Sequence, residues 1–148
     1  MTDIPYLLHT AELAAREAGK KIMEIYHTGN FQPYLKFGGS PITIADKSAH
    51  KIIMQHLNQT RLSVLSEEGI DIDFSERKNW EYFWMIDPLD GTKEFIRKND
   101  QFTVNIALVK ENIALAGVIY VPSSATLYYG SKETGVFKNK KGKLLQFF

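Results

Sequence analysis

Trp84-Met85-Ile86-Asp87-Pro88-Leu89-Asp90-Gly91-Thr92-Lys93-Glu94-Phe95-Ile96 carries an apolar strand into a turn that holds two carboxylates. The run Tyr82-Phe83-Trp84-Met85-Ile86 reads as a buried strand. Pro88 and Gly91 force the turn, so Asp87 and Asp90, three positions apart, can face one locus with the Leu89 carbonyl between them. Strand ends suit a site, because the strand is rigid while the turn leaves side chains and carbonyls free to converge. An all-oxygen set selects a hard cation, Mg²⁺ or Mn²⁺, over zinc. The same letters also spell an ordinary Asp-Gly β-turn capped by Asp87, and the turn alone does not choose.

Upstream, Leu7, Leu8, Ala11, Ala14, Ala18, Ile22, Ile25 and Tyr26 recur at spacings of three and four, which predicts an amphipathic helix over 5–27. Thr2 or Asp3 can cap it, and Thr28-Gly29-Asn30 stops it. A loop over 29–44 carries the turn residues Pro33, Gly38-Gly39 and Ser40-Pro41. Thr43 or Asp46 then starts a second helix over about 46–59, with Ala49, Ile53 and Leu57 on one face. A short strand over 62–65 ends in Ser66-Glu67-Glu68-Gly69.

Downstream of the turn the pattern reads as strand throughout. Segments 102–109 and 113–121 flank Lys110-Glu111-Asn112 as a hairpin, and 126–129 and 135–137 follow as shorter strands. Two helices followed by an antiparallel sheet is an α+β order, with the helices packed on one face. No internal repeat or linker divides the chain, so 1–148 reads as one domain.

Composition narrows the function classes. The 148 residues are 44% hydrophobic and 24% charged, which argues against a mostly disordered chain. Eighteen basic against 17 acidic side chains leave a formal net charge of +1, with no basic patch for nucleic acid. There is no Cys, hence no disulfide, thiolate ligand or cysteine nucleophile. The longest apolar run, 113–121, spans nine residues and includes Gly117, where a membrane helix needs about 20. The first residues lack the layout of a signal peptide. The expectation is a cytoplasmic chain without a membrane span. His9, His27, His50 and His56 share no ligand spacing, and Trp80, Tyr82, Phe83 and Trp84 read as packing residues.

Two further acidic positions bear on the turn. Glu67-Glu68 follows an apolar strand and Asp46 stands at a helix start; singly, these read as a solvated loop and a helix cap. Together with Asp87 and Asp90, each follows a short apolar stretch, consistent with element ends facing one cleft. Carboxylates packed together repel and raise one another's pKa, and a bound divalent metal keeps such a cluster ionised.

The string DPLDGTKEFI (87–96), preceded by LSEE (65–68) and SPITIAD (40–46) and followed by FTVNIALV (102–109) and GVIYVP (117–122), resembles the inositol monophosphatase superfamily of Mg²⁺-dependent, lithium-sensitive phosphatases. The Lys93-Glu94-Phe95-Ile96 tail and the Leu-Ser-Glu-Glu form are similar to its 3'(2'),5'-bisphosphate nucleotidase branch. The resemblance implies that Glu67, Asp87, Asp90 and the Leu89 carbonyl hold two or more Mg²⁺ ions, with Glu68 beside Glu67. It implies that Asp46 and Thr92, with Glu67, serve catalysis by polarising the attacking water. It implies that Gly91 and Thr92 offer N–H groups and a hydroxyl to a phosphate, with Glu67, Leu89 and Asp90 also facing the substrate. Lys36 matches a basic loop residue that organises the metal–water cluster. The implied substrate is a small phosphate ester, adenosine 3',5'-bisphosphate, giving AMP and phosphate in a step linked to sulfate assimilation. An inositol monophosphatase-type activity and a non-catalytic remnant or pairing module are the alternatives.

Family members carry a second, α/β half with a Trp-Asp metal motif, and nothing here matches it, since Trp80 and Trp84 are the only tryptophans. The chain ends on the apolar pair Phe147-Phe148. The expectation is therefore an N-terminal metal-binding domain without the C-terminal one, partnered by a separate second half or by its own copies, and impaired in turnover. Other metal and phosphate motifs fail. The nucleophile motif of haloacid-dehalogenase-type phosphatases has one residue between its aspartates, whereas Pro88 and Leu89 intervene here. An EF-hand at Asp71-x-Asp73-x-Ser75 has Glu76 where glycine is needed and Tyr82 where glutamate is needed. Gly91-Thr92-Lys93 lacks the upstream glycine of a P-loop.

Overall fold

A computed structural model describes residues 2–36, 39 and 41–147 of the chain. Gly38 and Ser40 of the expected turns, and Phe148 of the terminal pair, lie outside the described residues.

The first helix, α1 (Ile4–Thr28), starts where Asp3 accepts a hydrogen bond from the Tyr6 N–H at 3.0 Å and ends at Gly29 in the left-handed region. Its stripe of Leu7, Leu8, Ala11, Ala14, Ala18 and Ile22 is buried. The alanines keep that face thin, and at Gly19 even a Cβ would collide with the Tyr120 ring, so the helix lies directly on the sheet. A two-residue ladder, β1 (Tyr34–Leu35) with β2 (Pro41–Ile42), interrupts the expected loop. The second helix, α2 (Ile44–Leu57), begins two residues before the predicted 46. Thr43 is its cap and Asp46 sits three residues in, the reciprocal pair of a capping box.

Seven strands follow: β3 (Ser63–Ser66), β4 (Tyr82–Asp90), β5 (Thr103–Lys110), β6 (Ile113–Val121), β7 (Thr126–Ser131), β8 (Gly135–Lys140) and β9 (Lys143–Gln146). They lie side by side in that order. The α+β class stands, with α1 over β5, β6 and β7 and α2 over β4. Alternation along the strands sends Trp84, Ile86, Val104, Ile106, Leu108 and Val118 into the helix-covered core. Met85 and Ile119 are exposed, and they line an open apolar hollow on the sheet that Glu67 and Asp87 also border.

Three features depart from the expected pattern. The sheet is not wholly antiparallel: β3 runs parallel to β4, in the register Ser66↔Ile86. The crossover 67–81, with the single-turn helix α3 (Phe74–Arg77), returns the chain to the end where β3 began. Beyond Gly91 the chain is not all strand either, because Thr92–Arg97 forms a short helix, α4, with Phe95 buried beneath it. Finally, β9 adds an exposed edge strand to the terminal segment.

Candidate functional site

The parallel pairing of β3 and β4 decides what meets what. Both strands point the same way, so Glu67, one residue past β3, arrives beside Asp87, and its N–H donates to the Ile86 carbonyl at 3.2 Å. The β4–β5 ladder shifts register between Asp87 and Asp90, where Pro88 cannot donate to a ladder. The Leu89 N–H donates to Asp87 Oδ1 at 3.2 Å, closing the local turn while the Leu89 side chain is buried. Gly91 then takes φ +93°, and a Cβ there would stand 2.7 Å from the Gln101 carbonyl oxygen. Only glycine fits both constraints.

Asp46 is fully buried, and both of its carboxylate oxygens accept hydrogen bonds. Its Oδ2 accepts from the Thr43 N–H at 2.7 Å and the Thr43 hydroxyl at 2.6 Å, while Oδ1 accepts from the Thr92 hydroxyl at 2.7 Å. A helix cap thus doubles as a tertiary link from α2 to the first residue of α4. Because the Thr92 hydroxyl gives its proton to Asp46, its oxygen lone pairs are left to accept.

The remaining carboxylates are arranged differently. Burial, then the hydrogen bond and charge of Glu67, then the charge of Asp90, push the Asp87 carboxyl up to about 8, with the Leu89 N–H opposing. Asp90 Oδ2 accepts from the Asn105 amide at 3.2 Å. Lys36 supplies the positive charge: its Nζ lies 2.9 Å from Glu68 Oε1 and 3.5 Å from Glu67 Oε1. Burial raises the Glu68 pKa against the opposing pull of Lys36, and the charges of Asp46 and Glu67 add to the rise. Burial works against a charged Lys36, but the Glu68 hydrogen bond and the two glutamate charges outweigh it and raise its pKa.

The sequence-predicted residues therefore fall into two groups at one end of the sheet. Asp46 and Thr92 are joined directly, and Glu67, Asp87 and Asp90 crowd together at the ends of β3 and β4. Glu68 links the groups, since it feels Asp46 and Glu67 while bonding Lys36. Among the described residues, no three acidic, His or Cys side chains close into a metal cage. The donor chemistry nonetheless suits a hard divalent cation: the set is all oxygen, partly buried and short of positive charge.

Two contributors were not visible as site residues in the sequence. Asn105 is the β5 partner of Asp87, and a lone amide in an apolar strand was the available signal. His50 Nδ1 lies 2.8 Å from the Ser66 hydroxyl, which accepts the Glu68 N–H at 3.2 Å, so the histidine braces the Glu67-Glu68 turn. His56 instead meets Glu17 at 2.6 Å, away from the site.

Residues 3–147, which include every residue of this site, match the model of the inositol monophosphatase family. The chain belongs to the inositol monophosphatase family. Over 137 residues it is 39% identical to the 3'(2'),5'-bisphosphate nucleotidase CysQ of Haemophilus influenzae, a match that covers 91% of this chain and 51% of that protein. The crystal structure of CysQ from Bacteroides thetaiotaomicron, a bacterial member of the inositol monophosphatase family, superposes with a TM-score of 0.78 at 46% identity, covering 90% of this chain and 48% of that one. The extragenic suppressor protein suhB from Bartonella henselae gives 0.80 at 31% identity, with 90% and 52% covered. This inositol monophosphatase family chain thus spans about half the length of the relatives it matches. Among the described residues, no helix is long and apolar enough to cross a membrane.

Proposed function

We propose that this domain supplies the metal-binding and water-activating part of a Mg²⁺-dependent phosphomonoester hydrolase whose substrate is a nucleoside 3',5'-bisphosphate. The observation that carries the reading is the Thr92–Asp46 hydrogen bond set beside the crowded Glu67, Asp87 and Asp90 carboxylates. Glu67, Asp87, Asp90 and the Leu89 carbonyl would hold two or more Mg²⁺ ions, which when bound lower the pKa of water and offset charge on a leaving oxygen. The chain's own groups do the positioning. Thr92 Oγ1, its proton committed to Asp46, accepts from a water and aligns it for in-line attack. Asp46 takes up the charge shift through Thr92, and its rigid seat in the α2 cap fixes the direction of that acceptor. The Gly91-Thr92 turn receives the phosphoryl oxygens, and Lys36 holds Glu67 and Glu68 in place. The nucleotidase branch is favoured by the likeness to CysQ proteins in sequence and in fold. A cytoplasmic setting and sulfate assimilation belong to the same reading.

The relatives that the chain matches are about twice as long, so these 148 residues assayed by themselves are expected to bind Mg²⁺ weakly and turn over slowly. Phosphate release from adenosine 3',5'-bisphosphate, inositol phosphate and fructose bisphosphate, each with and without lithium, tests the proposal. The expected result is slow, lithium-sensitive release from the nucleotide, abolished in Asp87→Asn. Preference for inositol phosphate moves the protein to the other branch. Release unaffected by Asp87→Asn overturns the reading. Turnover equal to that of a full-length relative overturns the expected impairment.

A further inference from the structure

The Gly91-Thr92 turn is held in place from behind by a loop that the proposed chemistry does not use. Residues 98–102 follow α4, and both Lys98 and Asp100 have positive φ, at 59° and 68°. Contacts with Tyr26 and Ser123 hold this loop. The Tyr26 hydroxyl, near the end of α1, donates to Asp100 Oδ1 at 2.7 Å, and the Asp100 N–H donates back to the Tyr26 oxygen at 3.2 Å. The Ser123 hydroxyl donates to the Asp100 carbonyl at 2.9 Å. Lys98 Nζ sits 4.7 Å from the centre of the Tyr26 ring. That ring is buried and packs on Phe95 of α4 and on Phe102, at 5.2 and 5.0 Å between centroids.

The residues just past Asp100 form the wall that Gly91 touches: its absent Cβ would lie 2.7 Å from the Gln101 carbonyl oxygen and 3.3 Å from Phe102 Cα. Gly91 has no room to move toward that wall, and Thr92, the next residue, reaches Asp46 from there. We propose that Tyr26 and Asp100 are positioning residues for the Gly91-Thr92 turn, with the Tyr26 hydroxyl clamping the 98–102 loop against which Gly91 is seated. The clamp spans 74 residues of sequence and ties the end of α1 to both ends of α4. In its functional consequence the proposal rests on the reading above, that this turn receives a phosphate.

The two claims separate in one set of NMR measurements on the ¹⁵N-labelled full chain, with Mg²⁺ and inorganic phosphate as probes. Tyr26→Phe removes the hydroxyl alone. Asp100→Gly keeps the left-handed backbone and its N–H but loses the carboxylate, and Asp100→Asn keeps an acceptor in a residue that tolerates that backbone. The clamp predicts that Tyr26→Phe and Asp100→Gly shift the Gly91 and Thr92 amide resonances and speed by about three- to tenfold, the loss of one hydrogen bond, the exchange of the Phe95 amide, whose N–H donates to the Gly91 carbonyl at 2.9 Å. The central amides of β5 and β6 keep their rates, and Asp100→Asn restores the Gly91 and Thr92 resonances and the Phe95 rate. Phosphate with Mg²⁺ perturbs those two amides in the unsubstituted chain and saturates at a higher concentration in Tyr26→Phe. Unchanged Gly91 and Thr92 resonances together with unchanged Phe95 exchange in both variants overturn the clamp, as does a uniform rise across all amides. Amides unmoved by phosphate in the unsubstituted chain overturn the functional reading instead, and the exchange data still judge the clamp.

Discussion

Asp46 and Asp87 are carboxylates at the same end of one sheet, and the chain holds them in opposite ways. Asp46 is fully buried yet surrounded by donors, two from Thr43 and one from Thr92. Asp87 is half-buried and faces Glu67 and Asp90, with one backbone N–H in its favour. Hydrogen-bond donors replace the water that Asp46 gives up. Nothing comparable compensates the Asp87 group, so its free energy falls if a proton or a cation arrives. One carboxylate is complete as folded, and the other is built for something to be added. The division is what the roles proposed above call for: a fixed acceptor for water activation on one side, a cation seat on the other.

The largest effect expected from this contrast is at the satisfied carboxylate. In Asp46→Asn an NH₂ group replaces one oxygen, so a donor meets either the Thr43 pair or the Thr92 hydroxyl. Loss of charged hydrogen bonds in a buried cap costs about 3 kcal/mol, read from the urea midpoint at constant m-value. A loss below about 1 kcal/mol breaks the comparison, because Asp46 would then carry little of the local structure.

How much of this contrast could be read beforehand follows from the range of each signal. The strand into the DPLDGT turn, the α1 stripe and the placing of Asp46 at a helix start were legible, because each rests on neighbours within a few residues. That Asp46 also holds Thr92 was implied only by the joint role the family resemblance gives them, for the two lie 46 positions apart. The parallel sense of β3 was hidden because a strand of four residues does not encode the direction of its partner. Helix α4 was hidden because six residues after a glycine turn cannot display a 3.6-residue period. Tyr26 read as one more apolar position of α1, and only the fold sets its hydroxyl against Asp100.

The second prediction has the opposite sign. Replacing Asp87 with Asn removes a charge that Glu67 and Asp90 repel, so without Mg²⁺ the variant is more stable at pH 8. The gain is of order 1 kcal/mol, discounted for partial exposure. The sign follows from linkage: the folded-state pKa is raised from 3.8 to about 8, so the unsubstituted chain loses stability as pH climbs through that window. The gain is therefore largest near pH 8 and vanishes below about pH 4. Melting in chelator and in excess Mg²⁺ checks both halves, since the metal raises Tm in the unsubstituted chain and not in Asp87→Asn. Destabilisation by Asp87→Asn in chelator would make Asp87 a second satisfied carboxylate and erase the contrast.

The smallest effect tests whether the crowded side has a satisfied support of its own. His50 bonds the Ser66 hydroxyl that also accepts the Glu68 N–H, so the turn presenting Glu67 and Glu68 leans on a histidine. Burial lowers the His50 pKa from its ordinary 6.5, which favours the neutral ring in the folded state. A depressed folded-state value means that the contribution is complete above pH 6.5 and is lost as pH falls through the lowered value. His50→Gln removes that titration, so the difference in stability between pH 8 and pH 5 narrows by a few tenths of a kcal/mol after allowance for solvent screening. Asp87→Asn, by contrast, acts between about pH 4 and 8 and changes the response to metal. Stability profiles of the two variants and their double mutant then show whether the effects add. Additivity means that His50 supports the turn mechanically, and a coupling above about 0.5 kcal/mol means that it belongs to the charge cluster itself.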